Sequence, residues 1–86
     1  MIALNDSGEA VKLRFGEWFR VARGRAGLTQ AQIAERLGVK PQTVSNWENG
    51  VSSPSLDPVQ MFDLCELMGV SLGEMAVAYR EGGSND

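Results

Sequence analysis

The chain has 86 residues, of which 43% are hydrophobic, 22% charged and 7% aromatic. That is one small domain of ordinary globular balance, which excludes wholesale disorder. With one cysteine, Cys65, and no histidine, an intrachain disulfide framework, a cysteine zinc cluster and the Ser-His or Cys-His nucleophile pairs are excluded as well. No apolar run approaches the roughly 20 residues that cross a membrane, and the acidic start (Asp6, Glu9) lacks the basic opening of a signal peptide. The composition therefore reads as a soluble, reducing-compartment, non-catalytic domain with no metal and no cofactor.

Net charge is −3, but it is unevenly spread. Residues 11–50 hold Lys12, Arg14, Arg20, Arg23, Arg25, Arg36 and Lys40 against only Glu17, Glu35 and Glu48. Residues 51–86 hold Arg80 alone against Asp57, Asp63, Glu66, Glu74, Glu81 and Asp86. Screening cuts charges off beyond roughly 10 Å, so a binding partner responds to the local patch and not to the total. The first half suits an anion and the second does not.

Residues 1–10 are polar and unpatterned and read as a flexible N-terminal segment. Residues 11–80 form the domain, and 81–86 read as a flexible acidic tail. Within the domain no segment alternates with period two, while period 3.6 recurs, so only helices are expected. Helix one spans about Val11 to Ala26, with Phe15, Trp18, Phe19 and Ala22 on one stripe, and stops at Gly27. Helix two opens on a capping box, Thr29 with Gln32, carries Ile33, Ala34 and Leu37 inward, and ends at Gly38. Helix three starts at Pro41, a position where a missing N–H costs nothing, and ends at Asn49-Gly50, with Val44 and Trp47 inward. After a loop, Asp57-Pro58 opens helix four, which carries Met61, Leu64, Cys65 and Met68 on one stripe and ends at Gly69. There Cys65 reads as a core residue. A second capping box, Ser71 with Glu74, opens helix five, with Leu72, Met75, Ala76 and Tyr79 on one side. The expected fold class is all-α, a compact five-helix domain.

Helices two and three, joined by Gly38-Val39-Lys40, have the spacing of a helix-turn-helix. Gly38 permits positive φ in the turn, and Ala34 is small where the two helices cross. Val44 and Trp47 pin helix three to the core and leave Lys40, Gln42, Thr43, Ser45 and Asn46 outward. A merely solvated helix face favours Glu and Lys. A face of amides and hydroxyls suits the major groove, where Gln and Asn pair with adenine and the Thr methyl meets the thymine methyl.

The stretch Thr29 to Gly50 resembles the helix-turn-helix of the phage repressor and Cro family, also called the Xre family. Leu28-Thr29-Gln30 and Trp47-Glu48-Asn49-Gly50 are especially typical, and Gly69-Val70-Ser71-Leu72 resembles the family's junction between helices four and five. The resemblance covers about residues 12–79. It implies a repressor-like fold and a set of roles. Gln42 and Asn46 fall on the principal base-reading positions, with Thr43 beside them. Lys40 and Ser45 are candidates for base or phosphate. Gln30, Thr29 and Asn49 fall where the family holds DNA phosphates, and Gln30 also braces helix three. Arg23 and Glu48 match a structural ion pair. Leu72, Met75, Ala76 and Tyr79 lie in the region where the family often makes a two-fold dimer contact.

Two departures stand out. Pro41 occupies a position where some relatives carry a base-contacting polar side chain. The loop from Pro54 to Gln60 is about two residues longer than usual and poor in Lys and Arg, which weakens the expected phosphate grip. The function so implied is a sequence-specific regulator of transcription. It binds double-stranded DNA as a homodimer on a near-palindromic operator, with helix three in the major groove. The expectation is a cytoplasmic protein (bacterial cytoplasm or nucleoid, or phage-encoded). A chain this short leaves no room for a ligand-sensing domain, so control is expected from concentration, dimerisation or a protein partner. The alternative is an antitoxin-like or adaptor module that keeps the fold and binds a basic protein through its acidic second half.

Overall fold

The computed structural model describes residues 2–4 and 10–82. Five helices follow a short hairpin: β1 (Ile2–Leu4), β2 (Ala10–Lys12), α1 (Phe15–Arg25), α2 (Gln30–Leu37), α3 (Pro41–Glu48), α4 (Pro58–Met68) and α5 (Leu72–Glu81). The helical domain is the all-α architecture expected. The hairpin is not. Ile2 pairs with Lys12, Ala3 with Val11 and Leu4 with Ala10, antiparallel. Strands of three residues are too short to display period-two alternation, so the sequence reading misses them. They also correct the start of helix one. Val11 and Lys12 belong to β2, and α1 begins at Phe15, after an extended Arg14 with φ −68° and ψ 157°. The Arg14 N–H donates to Glu17 Oε1 at 2.8 Å, which satisfies one orphan donor of the first turn. Residues 5–9 and 83–86, the greater part of the two segments expected to be loose, lie outside the described residues.

The expected caps form. Gln32 N–H donates to Thr29 Oγ1 at 3.0 Å while Thr29 N–H donates to Gln32 Oε1 at 2.8 Å. Ser71 and Glu74 make the same reciprocal pair at 3.0 and 2.8 Å. Asp57 accepts from Gln60 N–H at 2.8 Å, and the Gln60 side chain reaches across to donate to the Leu37 carbonyl at 2.9 Å. That bond ties the start of α4 to the end of α2.

The core gathers Trp18, Phe19, Ile33, Val44 and Leu64 at its centre. Phe15 joins α1 to α5 through an edge contact with Tyr79, ring centroids 5.2 Å apart. Phe19 joins α1 to α3 through Trp47 at 5.9 Å. Offset and edge contacts of this kind add about 0.5–1.5 kcal/mol each beyond simple burial. They also fix where α3 sits, because Val44 and Trp47 are its two inward anchors.

Helix five departs from its expected face. Met75 and Ala78 turn inward, while Leu72 and Ala76 lie outside. Of the candidate dimer contacts, Met75 is the one buried in the core.

Candidate nucleic-acid interface

The turn between α2 and α3 is built by Gly38. Its φ of +73° is the left-handed conformation that a side chain resists. With Gly38 in that state the Val39 N–H donates to the Ala34 carbonyl at 2.9 Å and closes the end of α2. Lys40 is the extended N-cap of α3, and Pro41 occupies the first helical position. Ala34, fully buried, lets the two helices approach closely.

The outer face of α3 carries Lys40 and Gln42, both exposed, with Thr43, Ser45 and Asn46 half-buried and Asn49 exposed at its C-terminal end. Two side-chain bonds order that face. Gln42 Nε2 donates to Asn46 Oδ1 at 3.0 Å, one turn apart. Asn49 Nδ2 donates to Ser45 Oγ at 3.2 Å, again one turn apart. The bond leaves Gln42 Oε1 as an acceptor and Asn46 Nδ2 as a donor for another partner.

Behind this face lies one buried carboxylate. Glu48 has a fully buried side chain. Arg23 grips it with a fork, Nε to Oε2 at 2.5 Å and Nη2 to Oε1 at 3.1 Å. Its third nitrogen donates to the Leu28 carbonyl at 2.9 Å. Gln30 Nε2 also donates to Glu48 Oε1, at 3.0 Å. Helices α1, α2 and α3 therefore meet on one acidic group. Burial alone pushes the Glu48 carboxyl upward. The hydrogen bonds from Arg23 and Gln30, the Arg23 charge and the Arg20 bond outweigh it, and the group sits below the usual carboxylate range. The reciprocal bond to Glu48 raises Arg23, against the opposing effect of burial.

Two residues of this region escaped the sequence reading. Arg20 donates from Nε to Glu48 Oε1 at 3.4 Å and from Nη2 to Asn49 Oδ1 at 2.9 Å. Gly16 lies against α3 so closely that an added Cβ would stand 2.4 Å from the Glu48 carbonyl oxygen and 2.7 Å from that of Trp47. Gly16, Arg20 and Arg23 are spaced i, i+4, i+7 on α1, so one helix stripe carries all three toward the end of α3. That spacing is the signal that could have found them.

A helix-turn-helix family model matches residues 19–75. The chain belongs to the repressor- and Cro-type helix-turn-helix family. This is a family of DNA-binding transcriptional regulators and not of enzymes. A search of curated proteins finds no match. Among solved structures, the P22 c2 repressor protein in complex with synthetic operator 9T in the presence of Tl+ aligns with a TM-score of 0.60. The two chains share 22% identity over 72% of this chain and 91% of that one, a likeness of fold. Within the helix-turn-helix domain described, no helix is long and apolar enough to cross a membrane. The described residues hold no group of three or more Cys, Asp or Glu placed to hold a metal ion.

The remaining candidates sit on α5 and α4. Leu72 and Ala76 are exposed, and Tyr79 is at the surface with its ring against Phe15. With Met61 and Pro54 they line a groove of about 540 Å³. Val59 and Phe62, which the sequence reading did not single out, stand exposed on α4, Phe62 at 63%.

Proposed function

We propose that this regulator reads double-stranded DNA by sequence, with α3 in the major groove. The observation that carries the reading is the bonded pair of amides, Gln42 and Asn46, held outward by the buried anchors Val44 and Trp47. A pair already ordered in the free protein loses little side-chain freedom on meeting a base. Gln42, Asn46 and Thr43 read bases, and Lys40 and Ser45 contact base or phosphate. Gln30, Thr29 and Asn49 hold phosphate at the exposed ends of α2 and α3. Arg23 and Glu48 are structural. As such a regulator it works in the bacterial cytoplasm, on the nucleoid or from a phage genome.

Selection of sites from random duplex DNA tests this. The folded protein is expected to enrich a near-palindromic motif; enrichment of none sinks the proposal. On the selected site Gln42→Ala or Asn46→Ala is expected to lose about 1–3 kcal/mol, with little loss on random duplex. Gln30→Ala is expected to weaken both alike.

A near-palindrome calls for two copies, with recognition helices about 34 Å apart. The exposed side chains of Leu72, Ala76 and Tyr79 supply a face for the second copy. Leu72→Asp is expected to raise the dimer dissociation constant by more than about tenfold, since each copy buries one leucine there. Sedimentation equilibrium reads this, and an unchanged constant moves the dimer contact elsewhere.

One observation favours a second reading, an antitoxin-like or adaptor module. Val59 and Phe62 are exposed beside Asp63 and Glu66, and no Lys or Arg occurs from residue 51 to 79. A basic protein partner would suit that surface. A stoichiometric basic partner recovered together with no DNA preference decides for this reading.

A further inference from the structure

The charges around Glu48 do not cancel. One carboxylate faces two guanidinium groups, so the cluster carries a surplus positive charge. Geometry says which arginine holds it. Arg23 is 19% exposed and forked on both carboxylate oxygens. Arg20 is 54% exposed, and its single bond to Glu48, at 3.4 Å, is the longest of those the carboxylate accepts. Glu48 Oε1 already accepts from Arg23 and Gln30 at 3.1 and 3.0 Å. The better bond of Arg20 is the one to Asn49 Oδ1, at 2.9 Å. Its charge is therefore not consumed in neutralising the buried acid.

We propose that Arg20, from α1, is a DNA phosphate-binding residue, and that it forms one phosphate site with Gln30 and Asn49. Arg20 Nε and Gln30 Nε2 converge on the same Glu48 oxygen, and Arg20 Nη2 touches the Asn49 side chain. The three groups come from α1, α2 and the end of α3, so they meet where the recognition helix leaves the groove. A phosphate oxygen competes well for the exposed guanidinium, because a charge-assisted bond to an anion is roughly twice as strong as one to a neutral amide. On binding, Arg20 exchanges Asn49 Oδ1 for phosphate, and Asn49 offers the same anion the amide N–H that Ser45 does not take. This site also answers the shortage of basic residues in the loop after α3. The grip is supplied from α1.

The inference rests on the DNA-binding reading, and the test separates the two. Affinity for the selected duplex is measured across a salt series for wild type, Arg20→Gln and Arg20→Lys. Each phosphate neutralised adds roughly 0.9 to the log–log salt slope. Arg20→Gln, which removes the charge from a half-exposed position, is expected to lower the slope by about that amount, and Arg20→Lys to restore it. A residue acting only by holding Asn49 changes affinity and leaves the slope alone, so an unchanged slope in Arg20→Gln overturns the proposal. Ethylation interference gives an independent readout. One phosphate whose ethylation weakens wild type is expected to be silent in Arg20→Gln; an identical footprint counts against the site. If wild type binds no duplex at any salt, the underlying reading falls, and this one with it.

Discussion

Replacing Gly16 with alanine is expected to remove about 2–3 kcal/mol of stability, the upper part of the range for forcing one extra carbon into a packed interior. The new methyl group would stand 2.4 Å from the Glu48 carbonyl oxygen and 2.8 Å from its carbonyl carbon. Both are backbone atoms at the end of a helix, not the tip of a flexible side chain, so nothing nearby yields cheaply. Helix α1 must back away from α3, and the Arg23 and Arg20 bonds to Glu48 lengthen with it. Gly24, eight residues along the same helix, is the internal control. It is exposed and has nothing within 4 Å of an added Cβ. There alanine removes only the excess freedom of the unfolded chain and is expected to stabilise by about 0.5–1 kcal/mol. Urea unfolding of the two variants reads both signs, as shifts of midpoint at constant m-value. A Gly16→Ala variant as stable as wild type would show that α1 and α3 are not in backbone contact.

What was legible in the sequence was local. The reciprocal caps of Thr29 with Gln32 and Ser71 with Glu74 join residues three apart, and such contacts follow from spacing alone. The turn at Gly38 belongs to the same class. The outward position of Gln42 and Asn46 followed from the inward position of Val44 and Trp47, because one helix face implies the other. What was not legible depended on how helices cross. Gly16 reads as an unexplained glycine until α3 is laid across it, and Arg20 reads as a surface charge until Asn49 is placed beside it. The hairpin joins residue 2 to residue 12 across a stretch with no pattern. Helix α5 misled for a further reason. Leu72, Met75, Ala76, Val77, Ala78 and Tyr79 are apolar nearly all the way round, so periodicity selects no face. Packing against α1 and α4 chose Met75 and Ala78.

Glu48→Ala is expected to be the most damaging single change, with a loss of about 3–5 kcal/mol. The alanine leaves Arg23, only 19% exposed, as a charge held in the protein without its counter-ion. A domain of this size has a total stability of about 4–13 kcal/mol, so the variant stands near the limit of folding. The milder Glu48→Gln removes the charge and keeps one oxygen acceptor, while its amide nitrogen sets a donor against one N–H of the Arg23 fork. The native carboxyl titrates below the usual range, since the bonds from Arg23 and Gln30 and the Arg23 charge overcome its burial. Its ionised form thus contributes stability at every pH above the unfolded carboxyl's value, and that contribution fades as pH falls through the lower native value. As pH falls from the unfolded carboxyl's value through the lower native one, the wild type is expected to lose its advantage over Glu48→Gln, the two curves drawing together toward the acid end. Thermal unfolding across that window checks it. A constant gap between the curves, carried unchanged to low pH, would assign the stabilisation to shape and not to charge. The same substitution reaches the proposed phosphate site, because Gln30 and Arg20 both end on the Glu48 oxygen. In Glu48→Gln the three helices still meet, but the group on which the two proposed phosphate-binding side chains converge has lost its charge. Stability near neutral pH and affinity for the selected duplex are therefore expected to fall together, although the Glu48 side chain is itself fully buried.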